Sequence, residues 1–224
     1  NWRGGISSEK IKHRNKTWKK YKKWRDSVLK RDGYKCKNCG SAEKLHAHHI
    51  IARKTLPDAE FVRANGVTLC EKCHRKTDSW GGGTDNVLYN RKGNLLKFVM
   101  KIIPHSWQDY PTIGNYFYVK GGTFVIFCSD LKNDEFHFLV FAHEMIEATL
   151  VLSRGIKLSK IDNFDIKFEK DNKEGEPGDD LKSPYRKEHR FAENIERLLA
   201  AELGIDFNEY NKILEKQFTN ADNK

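Results

Sequence analysis

The chain has 224 residues, 38% hydrophobic and 32% charged, with a mean hydropathy of −0.75 and a net charge of +10. That length suits one large domain or two small ones, and the composition excludes a membrane-spanning protein. The positive excess is confined to residues 1–86, where 21 Lys+Arg face 9 Asp+Glu (+12), whereas residues 87–224 hold 20 against 22 (−2). A basic module joined to a near-neutral one points to a polyanion, above all a nucleic acid, as the partner of the first part only.

Residues 1–33 read as a basic lead-in and helix. The opening Asn1-Trp2-Arg3-Gly4-Gly5 is loop-like, with no apolar run of the kind a secretion signal needs. Residues 8–31 then show helical spacing, with Ile11, Trp18, Tyr21, Trp24, Val28 and Leu29 near one face. Lysines cover much of the remainder. Lys16, Lys19, Lys20, Lys22, Lys23 and Arg25 are the candidate contacts to nucleic-acid phosphates; a solvated helix docked by its tryptophans is the alternative.

Residues 34–83 form the next module. A short strand spans Lys44 to Ile51, an irregular loop covers 52–66, and Val67-Thr68-Leu69 is a second strand. A helical turn or two follows from Glu71, closed by Gly81-Gly82-Gly83. Four of the five cysteines form two pairs, Cys36-Lys-Asn-Cys39 and Cys70-Glu-Lys-Cys73. Each pair offers two thiolates at knuckle spacing, and two knuckles complete a tetrahedral structural Zn²⁺ site. Disulfides are disfavoured by the odd fifth cysteine, Cys128, which lies in an apolar run and reads as core.

Between the knuckles lies Leu45-His46-Ala47-His48-His49-Ile50. On a strand His46 and His48 share one face and His49 takes the other. Asn65 precedes the second strand, and His74 follows the last cysteine. Together with Trp24-Arg25, Val28-Leu29-Lys30-Arg31-Asp32-Gly33 and Asn65-Gly66-Val67-Thr68-Leu69-Cys70, this ordered set over about residues 20–80 resembles the HNH endonucleases. The resemblance implies a ββα-metal nuclease domain stabilised by the double CxxC zinc site. It implies His48 and His74 as ligands of a catalytic divalent ion, His49 as general base and Asn65 as the brace of the loop that orients it. Asp78 stands where some members carry a further histidine. The ion is expected to be Mg²⁺, or one that favours imidazole such as Mn²⁺, Ni²⁺ or Zn²⁺. The substrate expected is DNA, cut to 5′-phosphate and 3′-hydroxyl ends in the cytoplasm of a phage-infected or bacterial host. One such site per chain suits a nick; cutting both strands needs two events or a dimer.

Residues 84–99 carry no clear period and read as a linker. Met100-Lys101-Ile102-Ile103-Pro104-His105 opens what reads as a second domain, 100–224, mostly helical α+β with a small β-hairpin. The hairpin joins Tyr116–Val119 and Thr123–Cys128 around Gly121-Gly122. Helices are expected over Phe136–Arg154, Pro184–Leu203 and Asn208–Gln217, and a polar loop over residues 170–183. Met100–His105, His143-Glu144-x-x-Glu147-Ala148 and Glu176-Pro177-Gly178-Asp179-Asp180 with Pro184-Tyr185-Arg186 resemble uncharacterised phage and prophage proteins. His143 and Glu147 lie four apart on one helix, and with His189 they make a candidate second metal site. Glu147 stands where a zinc-peptidase HExxH helix has its second histidine. A buried polar network tying two helices together is the alternative. At the level of function, a non-catalytic DNA-binding module and a metal hydrolase in the second domain compete with the nuclease reading.

Overall fold

A computed structural model describes residues 8–77, 97–119, 123–171 and 175–221. The chain divides into two compact units, Asn1–Asn90 and Arg91–Lys224. The lead-in loop, Asp78, the Gly81–Gly83 stop, most of the 84–99 segment and the Gly121-Gly122 turn lie outside the described residues.

The first unit holds a long helix α1 (Ser8–Arg31), strands β1 (Leu45–His49) and β2 (Gly66–Cys70), and a one-turn helix α2 (Glu71–His74). The strands pair antiparallel, with Leu45 opposite Cys70 and His49 opposite Gly66. α1 ends where Gly33 takes a φ of 62° and the Tyr34 amide returns to the Leu29 carbonyl at 2.9 Å. Its last turns lie on the sheet: Trp24, Val28 and Ala47 are buried together, with Tyr21 and Phe61 packed against them. Gly66 is required by this packing, because a Cβ there would stand 2.5 Å from Val28 Cγ2 and 2.9 Å from Trp24 Cζ2. Asp32 ties helix to sheet: its carboxylate accepts from the Thr68 amide at 2.8 Å and from Arg31 Nε at 2.7 Å. Arg31 reaches on to donate to the Gly66 carbonyl at 2.7 Å. Ile50, Ile51, Leu56, Val67 and Leu69 are buried in the same unit, and domains of this size commonly add a metal or disulfide staple to such a core.

Trp18 departs from expectation. Its ring stacks on Tyr21 at 5.8 Å, but it is 63% exposed and does not join Trp24 in the buried core. Two strands of five residues cover only part of a 24-residue helix.

The second unit contains β3 (Lys97–Ile103), β4 (Gly114–Val119) and β5 (Thr123–Ser129), followed by α3 (Asp134–Ser153), α4 (Leu158–Lys170), α5 (Arg186–Glu202) and α6 (Phe207–Ala221). The sheet runs β3-β5-β4, with β3 parallel and β4 antiparallel to β5. Every residue of β5 is buried, as expected for a central strand with the unbroken apolar run Phe124-Val125-Ile126-Phe127-Cys128. Cys128 is a core residue packed with Ile113, Leu139, Val140 and Tyr210.

Three elements differ from the sequence reading. β3 begins at Lys97, inside the segment read as linker, so Met100 falls in mid-strand. α4 occupies a stretch for which no helix was expected, burying Ile161, Asp165 and Phe168. α5 starts at Arg186, two residues after Pro184. α3 is long and apolar enough to cross a bilayer by length and composition alone. It instead buries His137, Leu139, Val140, Ala142, His143, Glu147, Ala148 and Val151 within its unit, as a core helix does.

Candidate functional site

The cysteine pairs converge as their spacing predicts. The sulfurs of Cys36, Cys39, Cys70 and Cys73 all lie within 4.8 Å of one another, and all four cysteines are free thiols. Cys39 Sγ stands 3.7 Å from Cys70 Sγ. A tetrahedral zinc with Zn–S bonds of about 2.3 Å sets its sulfurs about 3.8 Å apart, whereas a disulfide needs about 2.05 Å. The first knuckle turns on Gly40, whose φ of 74° lets its amide return to the Cys36 carbonyl at 2.8 Å. Burial opposes ionisation of Cys36, but amides of Cys70, Asn38 and Cys39 donating to its sulfur outweigh that and bring the thiol down to about 7. Burial and the three neighbouring sulfurs push Cys73 up to about 12. Four thiols crowded this closely resist ionising together, and a dication is the natural relief of that repulsion.

The frame places the histidines on two sides of β1. His48 is buried and faces His74, with ring centroids 5.0 Å apart and edges toward faces. His46 lies on the same side, 5.3 Å from the His74 ring. The donor set there is imidazole, which suits a divalent ion able to keep positions for water and phosphate oxygen. Burial, with a smaller contribution from His46, lowers the pKa of His74, which keeps it a neutral, ligand-competent ring.

His49 points the other way. Its ring stacks on Trp24 at 4.0 Å and an interplanar angle of 9°. Its Nε2 lies 2.8 Å from the Glu60 carbonyl. A carbonyl only accepts, so Nε2 carries the hydrogen and Nδ1 presents the lone pair. Burial lowers the pKa of His49 against the opposing pull of that carbonyl, so the ring is neutral at pH 7 and able to accept a proton.

Asn65 is fully buried and holds the loop that carries Glu60. Its Oδ1 accepts from the Ile51 amide at 2.8 Å, and its Nδ2 donates to the carbonyls of Ile51 at 3.1 Å and Ala59 at 3.2 Å. Removing this side chain strands three buried backbone groups. Asn65→Ala is expected to cost about 3 kcal/mol of unfolding free energy, measured by urea denaturation.

On α1, Lys16, Lys19, Lys20, Lys22 and Lys23 are all exposed, with Trp18 among them. Arg25 is only partly exposed and donates to the Leu45 carbonyl at 3.2 Å, so it also holds the helix to β1. Sequence reasoning missed the two groups that set the tautomer and position of His49. Trp24 carried a visible signal as part of the helix face; the Glu60 carbonyl carried none, because any residue type supplies one.

In the second unit, His143 Nε2, His189 Nδ1 and a Glu147 carboxylate oxygen converge within 4.8 Å. His143 Nδ1 pairs with Glu196 Oε2 at 2.8 Å, and His189 Nε2 with Glu176 Oε2 at 3.3 Å. On α5, Arg197 bonds Glu193, and Glu188 pairs with Arg154, the residue that follows α3.

Residues 36–79 match the family model of the HNH endonucleases. That stretch takes in both cysteine pairs, His48, His49, Asn65 and His74, and leaves out α1 and the whole second unit. Comparison with curated proteins and with solved structures returned no match.

Proposed function

We propose that the protein is a metal-dependent DNA endonuclease of the HNH type, hydrolysing phosphodiester bonds. The observation that carries this reading is His49, with one ring nitrogen fixed on the Glu60 carbonyl and the other left as a base, inside a matched HNH domain. His48 and His74 would hold the divalent ion, Mg²⁺ or an ion such as Mn²⁺, Ni²⁺ or Zn²⁺. When bound, that ion neutralises charge on the scissile phosphate and on the leaving oxygen. His49 Nδ1 takes a proton from water as the water oxygen attacks phosphorus and the bond to the 3′ oxygen breaks, the departing 3′ oxygen taking a proton from solvent to end as the hydroxyl. Asn65 keeps the Glu60 loop in place and so keeps the base in one tautomer. Cys36, Cys39, Cys70 and Cys73 hold a structural Zn²⁺ that fixes the distance between the two strand ends. One site per chain makes a single-strand nick the elementary event. We further propose a cytoplasmic site of action and a phage or mobile-element origin, on the strength of the DNA substrate and the phage-like motifs of the second unit.

The exposed lysines of α1 would track the DNA backbone, with Trp18 placed to lie against bases or sugars. Replacing Lys16, Lys19 and Lys23 by Ala is expected to weaken DNA binding on all sequences alike. The slope of log affinity against log salt should fall by about 0.9 for each lysine that had met a phosphate, measured by fluorescence anisotropy in EDTA. The chemistry has its own test. Nicked plasmid produced by the protein should be resealed by DNA ligase without prior end repair, because 5′-phosphate and 3′-hydroxyl ends are ligatable. Nicks that resist ligase would contradict the proposed bond cleavage.

A further inference from the structure

The second unit carries a constellation that the nuclease reading does not use. His143 and Glu147 sit one turn apart on α3, and His189 faces them from α5. His143 Nε2 stands 3.2 Å from His189 Nδ1, His189 Nδ1 stands 3.0 Å from Glu147 Oε2, and His143 Nε2 stands 3.6 Å from Glu147 Oε2. Ligands of a tetrahedral zinc with bonds of about 2.0–2.1 Å stand about 3.3–3.4 Å apart. The triangle therefore has the size of one face of a zinc coordination sphere.

The outer atoms of all three groups are already committed. His143 Nδ1 faces Glu196 Oε2 at 2.8 Å, and the Tyr210 hydroxyl donates to the other oxygen of Glu196 at 2.6 Å. His189 Nε2 faces Glu176 Oε2 at 3.3 Å. Tyr116 donates its hydroxyl to Glu147 Oε1 at 3.1 Å. A carboxylate accepts, so each outer ring nitrogen carries the hydrogen. His189 Nδ1 also faces a carboxylate, Glu147 Oε2 at 3.0 Å, so a proton can sit among the inner atoms; an ion that displaces it meets two ring lone pairs and a carboxylate oxygen pointing at the same place. Carboxylates behind the ligating histidines are the usual supporting shell of a metal site. The Glu176-Pro177-Gly178 turn completes it: a Cβ on Gly178 would stand 2.3 Å from His189 Cγ, so the bare glycine backbone lies directly on the ring and fixes its plane. Among the described residues no fourth His, Cys, Asp or Glu ligand joins the three.

We propose that His143, Glu147 and His189 bind a divalent transition metal of the zinc class, with water at the remaining position. The ion joins α3 to α5 and is independent of the nuclease metal. The competing occupant is a proton shared within the same knot.

The test uses the full chain carrying His48→Ala and His74→Ala, so that the nuclease histidines contribute no zinc. After dialysis against a weak chelator, metal analysis is expected to find about two zinc ions per chain, one in the cysteine site and one here. Adding Glu147→Gln keeps the size of the side chain and the acceptor for Tyr116 but removes a good zinc ligand. That variant is expected to hold about one zinc and to lose the thermal stabilisation that added Zn²⁺ gives its parent. Thiolate-to-cobalt absorption after Co²⁺ substitution should be unchanged, showing that the cysteine site is intact. A parent chain that holds about one zinc, with no further stabilisation by added Zn²⁺, would overturn the proposal in favour of the proton. If the Glu147→Gln chain fails to fold, the Co²⁺ spectrum of the parent decides: nitrogen- and oxygen-ligated cobalt beside the thiolate site supports the proposal, and thiolate-ligated cobalt alone overturns it.

Discussion

His49→Ala is expected to reduce DNA cleavage by about 10²- to 10⁴-fold, the usual contribution of a positioned general base. The expectation follows from what surrounds the ring. Trp24 fixes its plane, the Glu60 carbonyl fixes its tautomer, and burial keeps it unprotonated at pH 7. Alanine removes the proton acceptor and leaves the ligand candidates His48 and His74 on the other side of β1 untouched. It also removes a ring stack and one hydrogen bond, which together cost about 1–2 kcal/mol of stability. Circular dichroism should therefore show a folded variant with a modestly lower Tm. DNA affinity in EDTA should be unchanged, since the exposed lysines of α1 carry the phosphate contacts in this account. Cleavage at the wild-type rate would remove His49 from the role of base.

Cys70→Ser is expected to have the largest effect on stability. Cys70 ends β2, pairs in register with Leu45, and places its sulfur 3.7 Å from that of Cys39. Serine keeps the strand but removes one thiolate from the four. Structural zinc sites contribute about 10–16 kcal/mol of apparent binding free energy at pH 7, which is as large as the whole stability of a typical domain. The buried apolar residues of this unit, among them Trp24, Val28, Ile50, Ile51, Val67 and Leu69, are framed by only two five-residue strands and the end of α1, so the loss falls on a thin scaffold. Zinc analysis should show one ion fewer per chain, and limited proteolysis should open residues 34–77 in the variant but not in the wild type. A variant that keeps both its zinc content and its protease resistance would show that the cysteines are not a structural metal site.

The parts of the site that rest on local periodicity were legible in the sequence. Alternation along β1 puts His48 and His49 on opposite faces, and two CxxC turns specify four converging sulfurs whatever the intervening loop does. His143 and Glu147 share a helix face by the same kind of argument. What was not legible depends on tertiary reach. Trp18 has the right spacing to join Tyr21 and does stack on it, yet it stays out of the core: two five-residue strands span only about 17 Å, and a helix of this length runs about 36 Å. The sheet ends before the helix does. α4 was hidden because Asp162, Asn163 and Asp165 interrupt the apolar pattern, although Ile161, Phe164 and Phe168 keep helical spacing. Asp165 is polar and still buried, because the Tyr185 hydroxyl donates to it at 3.0 Å. The pairing of β3 with β5 is parallel and skips a strand, so no turn signal marks it. No local pattern places Glu176 and Glu196 behind His189 and His143; only the fold brings them there.

Cleavage of DNA by the first unit with a divalent ion is tested by incubating the full chain with supercoiled plasmid in Mg²⁺, in Mn²⁺ and in EDTA, and following conversion to the open circle. Nicking is expected with at least one of the two ions and none in EDTA. Retention of supercoiled plasmid under every condition, by protein shown to be folded, zinc-loaded and bound to the DNA, would contradict it and leave a binding module in its place.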